Sequence, residues 1–138
     1  MWRGGPQTFA AAVLLVWLHW EFRLRGKRHV GSLTRDAMQV TPTAQTELDA
    51  LKVDPWRTAR AVSRAKRRLP FDSTCLQTAL ATQRLLARQG VSSAVRVGID
   101  RIDAPAHAWV EVGDLVIDDQ GISERFMPFA APGERGNV

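Results

Sequence analysis

The chain has 138 residues, 45% of them hydrophobic, which is the size and composition of one domain with an appended N-terminal segment. Its single cysteine excludes an intramolecular disulfide framework and, with only three histidines, argues against a cysteine-rich zinc site. The net charge of +5 divides unevenly, +8 over residues 1–70 and −3 over residues 71–138.

The basic half suits an acidic peptide, a membrane surface or nucleic acid, and equally a plain set of solvated helix faces. No helix-turn-helix pattern, aromatic–basic RNA motif or paired metal ligands favour nucleic acid, so none is expected as a partner. A lone thiol fits a reducing compartment, and the expected localisation is cytoplasmic.

In chain order, residues 7–24 read as a helix containing the apolar run 9–18. That run is too short to span a bilayer, which takes about 20 residues. The basic stretch EFRLRGKR follows it with no small-residue cleavage site, which argues against a signal peptide. The run is apolar nearly all round, through Phe9, Val13, Leu14, Leu15, Trp17 and Leu18. Such a helix is normally buried. Its cover is the protein's own core, a partner protein or a membrane interface, with the contact running through residues 8–24.

Residues 23–31 (RLRGKRHVG) are basic with two glycines and predict a turn. Thr41-Pro42 suits a helix start, giving a segment over 42–52. Asp54-Pro55 repeats that signal more strongly. The helix it opens, WRTARAVSRAKRRL, carries Trp56, Ala59, Val62 and Ala65 on a core-facing stripe and is stopped by Pro70.

The stretch 72–119 organises the rest. Asp72 or Ser73 is a suitable N-cap for the helix that holds Cys75 in its first turn. At such a position the helix dipole and the backbone amides stabilise negative charge. Leu76, Ala79, Leu80, Leu85 and Leu86 give that helix an apolar face, and Gly90 is placed to end it. The period then changes. Val95, Val97 and Ile99 alternate with Arg96, Gly98 and Asp100, as in a strand with one buried face. The loop IDAPA leads to His107 and a second strand, HAWVEV. Gly113-Asp114 is a hairpin turn and LVID the returning strand. FMPF (126–129) is expected to pack back on the sheet, and PGERGNV to be a disordered tail.

A cysteine opening a helix, a histidine opening a strand and a carboxylate on the next strand are the parts of a thiol nucleophile. The imidazole takes the thiol proton and later gives it to the leaving amine, while the carboxylate orients the ring. The helix N-terminus offers the Cys75 amide to a tetrahedral oxyanion. Taken singly, each residue has a plainer explanation. Cysteine is often buried and inert, a histidine beside tryptophan is often structural, and Asp118-Asp119 before Gln120-Gly121 suits a turn.

The run CLQTALATQRLLARQGVSSAVRVGI followed by AHAWVEVGDLVID resembles the transglutaminase-like cysteine peptidases of lasso peptide biosynthesis. The shared pattern is Cys75-Leu76 opening a helix, Leu85-Leu86 to Gly90 closing it, the valine-rich 95–99, and Ala106-His107-Ala108-Trp109-Val110-Glu111. It covers residues 56–121, about half the chain.

The resemblance implies Cys75 as nucleophile, His107 as general base and acid, and Asp119 as the orienting acid. Hairpin geometry with a two-residue turn instead favours Asp118, which then shares a face with His107. On the same alternation Trp109 walls the site or is ordinary sheet core, and Glu111 faces solvent. The implied activity is removal of the leader from a ribosomally made precursor peptide, followed by closure by a separate ATP-dependent macrolactam cyclase, with no metal or organic cofactor. The winged-helix leader-binding domain fused to some relatives is absent from the first 55 residues, so a separate leader-recognition protein is implied. The alternative is a non-catalytic transglutaminase-like module that binds peptides or scaffolds the maturation proteins.

The expected fold is α+β, transglutaminase-like or papain-like, with N-terminal helices and a catalytic helix on a small antiparallel sheet. The expected division is an N-terminal helical segment over 1–54, a peptidase core over 55–130 and a tail over 131–138.

Overall fold

The computed structural model describes residues 5–71, 74–99, 107–117 and 127–128. Helices α1 (Gly5–Met38), α2 (Gln45–Leu51), α3 (Pro55–Arg68) and α4 (Cys75–Arg88) precede the sheet. Strands β1 (Ala94–Ile99), β2 (His107–Val112), β3 (Leu115–Ile117) and β4 (Met127–Pro128) form one antiparallel sheet in the order β3-β2-β1-β4. The class is α+β, as expected. Helices α1, α3 and α4 pack on one another, and α4 lies across β2. A single apolar cluster joins Leu15 and Leu18 of α1, Val62 of α3, Leu80 and Leu86 of α4, and Val95, Val110 and Val112 of the sheet.

Helix α1 runs well past the predicted end. The basic turn is confined to Gly26, whose φ of 79° and ψ of −176° break the helix, while Gly31 stays helical. That backbone region is essentially closed to residues with a Cβ. Glu21 reaches across the break to accept from His29 Nε2 at 2.8 Å, and on its own side of the break pairs with Arg25 Nε at 3.7 Å.

Helix α2 starts at Gln45 rather than at Pro42, and its N-cap Ala44 has no side-chain cap. Thr43 is engaged elsewhere. Its amide donates to Ser92 O, its hydroxyl accepts from Ser92 N and its carbonyl accepts from Gly113 N. Those long-range bonds hold 43–44 extended against the start of β1 and the hairpin turn.

Helix α3 begins as expected, with Asp54 accepting from Trp56 N and Pro55 in the first turn. Ala59, Val62 and Ala65 are buried, but Trp56 is 38% exposed. The buried stripe is completed by Thr58, whose hydroxyl accepts from Gln7 Nε2 and Gln89 Nε2, both at 2.9 Å. Leu69 takes an extended ψ of 148° before Pro70, which ends the helix.

The hairpin has the two-residue turn predicted at Gly113-Asp114 and pairs Val112 with Leu115, Glu111 with Val116 and Val110 with Ile117. Met127–Pro128 joins the sheet beside β1, pairing with Ile99 and Gly98. Phe126, Phe129 and the tail lie outside the described residues.

Candidate active site

Cys75 is the first residue of α4, half-buried and packed against the apolar cluster. The residue that caps this helix is Thr74, not Asp72 or Ser73, which lie outside the described residues. Thr74 alone of the three has a glutamine three positions on, and a reciprocal box forms. Gln77 N donates to Thr74 Oγ1 at 3.1 Å, and Thr74 N donates to Gln77 Oε1 at 2.9 Å. Thr78 adds a second tie, its hydroxyl donating to Thr74 O at 3.0 Å. The turn that carries Cys75 is therefore fixed by its own sequence.

The far end of α4 is sealed as firmly. Gly90 has a φ of 84°, its amide donates to Ala87 O, and Val91 N donates to Leu86 O. This is the double bond pattern of a helix ended by a left-handed residue.

His107 is the first residue of β2 and only 6% exposed. Because α4 packs across β2, the elements that begin with Cys75 and with His107 are brought together. Along β2, Ala108, Val110 and Val112 join the apolar cluster. His107, Trp109 and Glu111 alternate onto the other face, opposite Gly98, Arg96 and Ala94 of β1 respectively.

On that face a polar chain runs away from the histidine. The Trp109 ring lies 6.1 Å from the His107 ring, at 28° to it. Trp109 Nε1 donates to Glu111 Oε2 at 3.1 Å, and Arg96 Nε donates to Glu111 Oε1 at 3.2 Å. Arg96 Nη1 in turn donates to Met38 O at 3.0 Å, at the end of α1. Glu111, whose side chain is 34% exposed, is also the acceptor that fixes Trp109 and Arg96 together. Sequence alternation places Arg96 off the apolar face of β1 and Glu111 on the His107 face of β2, but only the β1–β2 register, with Arg96 opposite Trp109, makes them partners. The signal was the opposite charge at two positions of adjacent strands.

Both candidate acids, Asp118 and Asp119, lie outside the described residues. The observed pairing follows the two-residue turn as far as Val110 with Ile117. Among the described residues no three His, Cys, Asp or Glu side chains converge as metal ligands. A separate cleft of about 310 Å³ opens between residues 33–40 and α4, lined by Leu33, Ala37, Leu80, Gln83 and Arg84. On α4 its lining runs from Leu80, five residues from Cys75 or ~7.5 Å by helical rise, to Ala87.

A capped helix opening with cysteine, laid over a strand opening with histidine, defines a papain-like α+β arrangement. Residues 12–131 match the model of the transglutaminase-like superfamily, and the chain belongs to that superfamily, whose members are commonly cysteine proteases. The match includes most of α1 as well as α4 and the sheet. No curated protein and no solved structure matches the chain significantly.

Proposed function

We propose that the protein is a cysteine peptidase that removes the leader from a ribosomally made lasso precursor, with the leader presented by a separate recognition protein. The observation that carries this reading is the placement of Cys75 at the first position of α4, packed across the strand that His107 opens, in a chain of the transglutaminase-like superfamily. The lasso specificity rests on the sequence resemblance alone.

In this reading Cys75 Sγ attacks the scissile carbonyl, and His107 takes the thiol proton and passes it to the leaving amine. Water then hydrolyses the thioester, with His107 accepting its proton and returning it to sulfur as the leader leaves. Asp119 orients the imidazole, with Asp118 as the competing candidate. The Cys75 amide faces the oxyanion. Trp109, held by Glu111, packs beside the imidazole and excludes water from it. Residues 5–54 hold α1 and α2 and, among the described residues, no strand, which suits a peptidase that borrows its leader recognition. The macrolactam cyclase acts on the freed core peptide.

The test is precursor cleavage followed by mass spectrometry, with the leader-recognition protein present, for wild type and Cys75→Ala. A single cut that disappears in the variant is expected, with a rate loss of at least about a thousandfold. Cleavage that survives in Cys75→Ala removes the thiol from the mechanism. A folded wild type that never cuts points to a binding or scaffolding module. Asp118→Ala and Asp119→Ala, compared in the same assay, assign the acid by the larger loss.

A further inference from the structure

Helix α1 is apolar on two opposite sides. Ala11, Leu15 and Leu18 are buried in the core. Phe9, Val13, Trp17, Trp20 and Leu24 are spaced four, four, three and four residues apart, so they form one stripe along the helix. That stripe faces outward: Phe9 is 57% exposed, Val13 53%, Trp17 41%, Trp20 53% and Leu24 77%. The outer face of a surface helix is normally polar. Here five large apolar residues are partly exposed in one row, with the Arg84 guanidinium over the Trp17 ring at 4.8 Å, which marks an interaction surface.

The surroundings of the stripe say what covers it. Arg23, Arg25 and Arg28 are exposed at its C-terminal end. Helix α3 packs beside α1, and both pack on α4. The solvent face of α3 is a row of exposed arginines, Arg57, Arg60, Arg64 and Arg67. Acidic residues are scarce on this side: the exposed Asp54 pairs with Arg60 at 3.6 Å, and Glu21 is occupied by His29 and Arg25. The stripe is a ridge of tryptophan, phenylalanine and leucine on a convex helix. The cleft between residues 33–40 and α4 adjoins the stripe through Arg84, which lines the cleft and stands over the Trp17 ring at 4.8 Å. A ridge beside a cationic row fits a flat anionic surface better than an inserted peptide.

We infer that the α1–α3 face docks the protein peripherally on an anionic lipid bilayer, the α1 ridge entering the headgroup–acyl boundary and the α3 arginines contacting lipid phosphates. Tryptophan and arginine are the residues suited to that boundary. The association is peripheral, because no helix among the described residues is long and apolar enough to cross a membrane. This inference is independent of the peptidase reading.

The experiment is co-sedimentation of the full chain with phosphatidylglycerol-containing vesicles and with pure phosphatidylcholine vesicles, over a range of salt. Two variants accompany it, Trp20→Ser/Leu24→Ser in the ridge and Arg60→Gln/Arg64→Gln/Arg67→Gln in the cationic row. Circular dichroism reports whether each folds, and sedimentation velocity reports self-association. The expected result is salt-sensitive binding to the anionic vesicles that falls about tenfold or more in each variant. If the ridge variant misfolds, the arginine variant decides alone. Failure to bind anionic vesicles overturns the inference, as does binding that neither variant weakens. A dimer that the ridge variant disperses, without vesicle binding, assigns the face to a second copy of the chain and also overturns it.

Discussion

Helices α4 and α1 show two ways of holding a helix in place. Helix α4 is closed at both ends by its own residues, the Thr74–Gln77 box at the start and the Gly90 bonds at the finish. Its register is therefore fixed to the residue, and Cys75 stands at its first position whatever packs around it. Helix α1 breaks at Gly26. It is positioned by what it packs on, Leu15 and Leu18 against the common core and Gln7 against Thr58. A residue that must sit at one point in space belongs on the first kind of helix. A face that must meet another body can be left to the second.

The sharpest way to break this comparison is to remove one buried leucine from each helix. Leu15→Ala and Leu86→Ala each lose a fully buried side chain and should each cost about 2–5 kcal/mol in urea unfolding. Both losses should appear in one cooperative transition, since the two leucines share a cluster. A Leu15→Ala protein that unfolds in two steps would mean that α1 is held separately.

Next in size are the two glycines. Neither Gly26 nor Gly90 has an atom within 4 Å of where a Cβ would stand, so alanine at either meets no clash and the cost is purely conformational. Gly90 is in a left-handed cap, where alanine costs about 1 kcal/mol. Gly26 combines φ 79° with ψ −176°, a region almost reserved for glycine, where the cost is about 1–3 kcal/mol. Thermal unfolding should therefore rank Gly26→Ala below Gly90→Ala in stability. The reverse order would place the break of α1 at a different torsion.

Thr74→Ala removes one half of the box and should cost about 1 kcal/mol, with faster hydrogen exchange at the Gln77 amide. Unchanged exchange there would show that tertiary contacts, not the cap, hold the first turn of α4. The smallest effect belongs to Arg25→Ala. Its guanidinium is 62% exposed and 3.7 Å from Glu21, so stability should move by less than about 0.5 kcal/mol. A larger loss would mean that the pair braces the Gly26 break.

Much of this was legible in the chain. The α+β class, the Asp54-Pro55 start of α3, the glycine end of α4, the alternation of β1 and the two-residue hairpin turn all follow from neighbours a few residues apart. The readings that failed did so where a distant partner took over a local signal. Thr41-Pro42 looks like a helix start, but Thr43 spends its donor and both its acceptors on Ser92 and Gly113. Trp56 sits at core spacing, but Thr58 takes the buried place because Gln7 and Gln89 reach its hydroxyl. Glu111 reads as a solvent residue and is 34% exposed, but the strand register also sets Arg96 beside it. The Thr74 cap was readable, since Gln77 lies at the box spacing, but was obscured by two equally good capping residues just before it.

By itself the sequence determined the elements that hold the candidate residues: a cysteine at a helix start, a histidine at a strand start, and an apolar run at the N-terminus. These are short-range properties, set by hydrogen bonds and periodicities within a few residues. Only the tertiary structure decided which elements meet. It laid α4 over β2, paired Arg96 with Glu111 behind Trp109, and buried one side of α1 while leaving its opposite apolar side partly exposed. Those outcomes depend on which surfaces close over one another, and that is settled by packing and register across the whole chain.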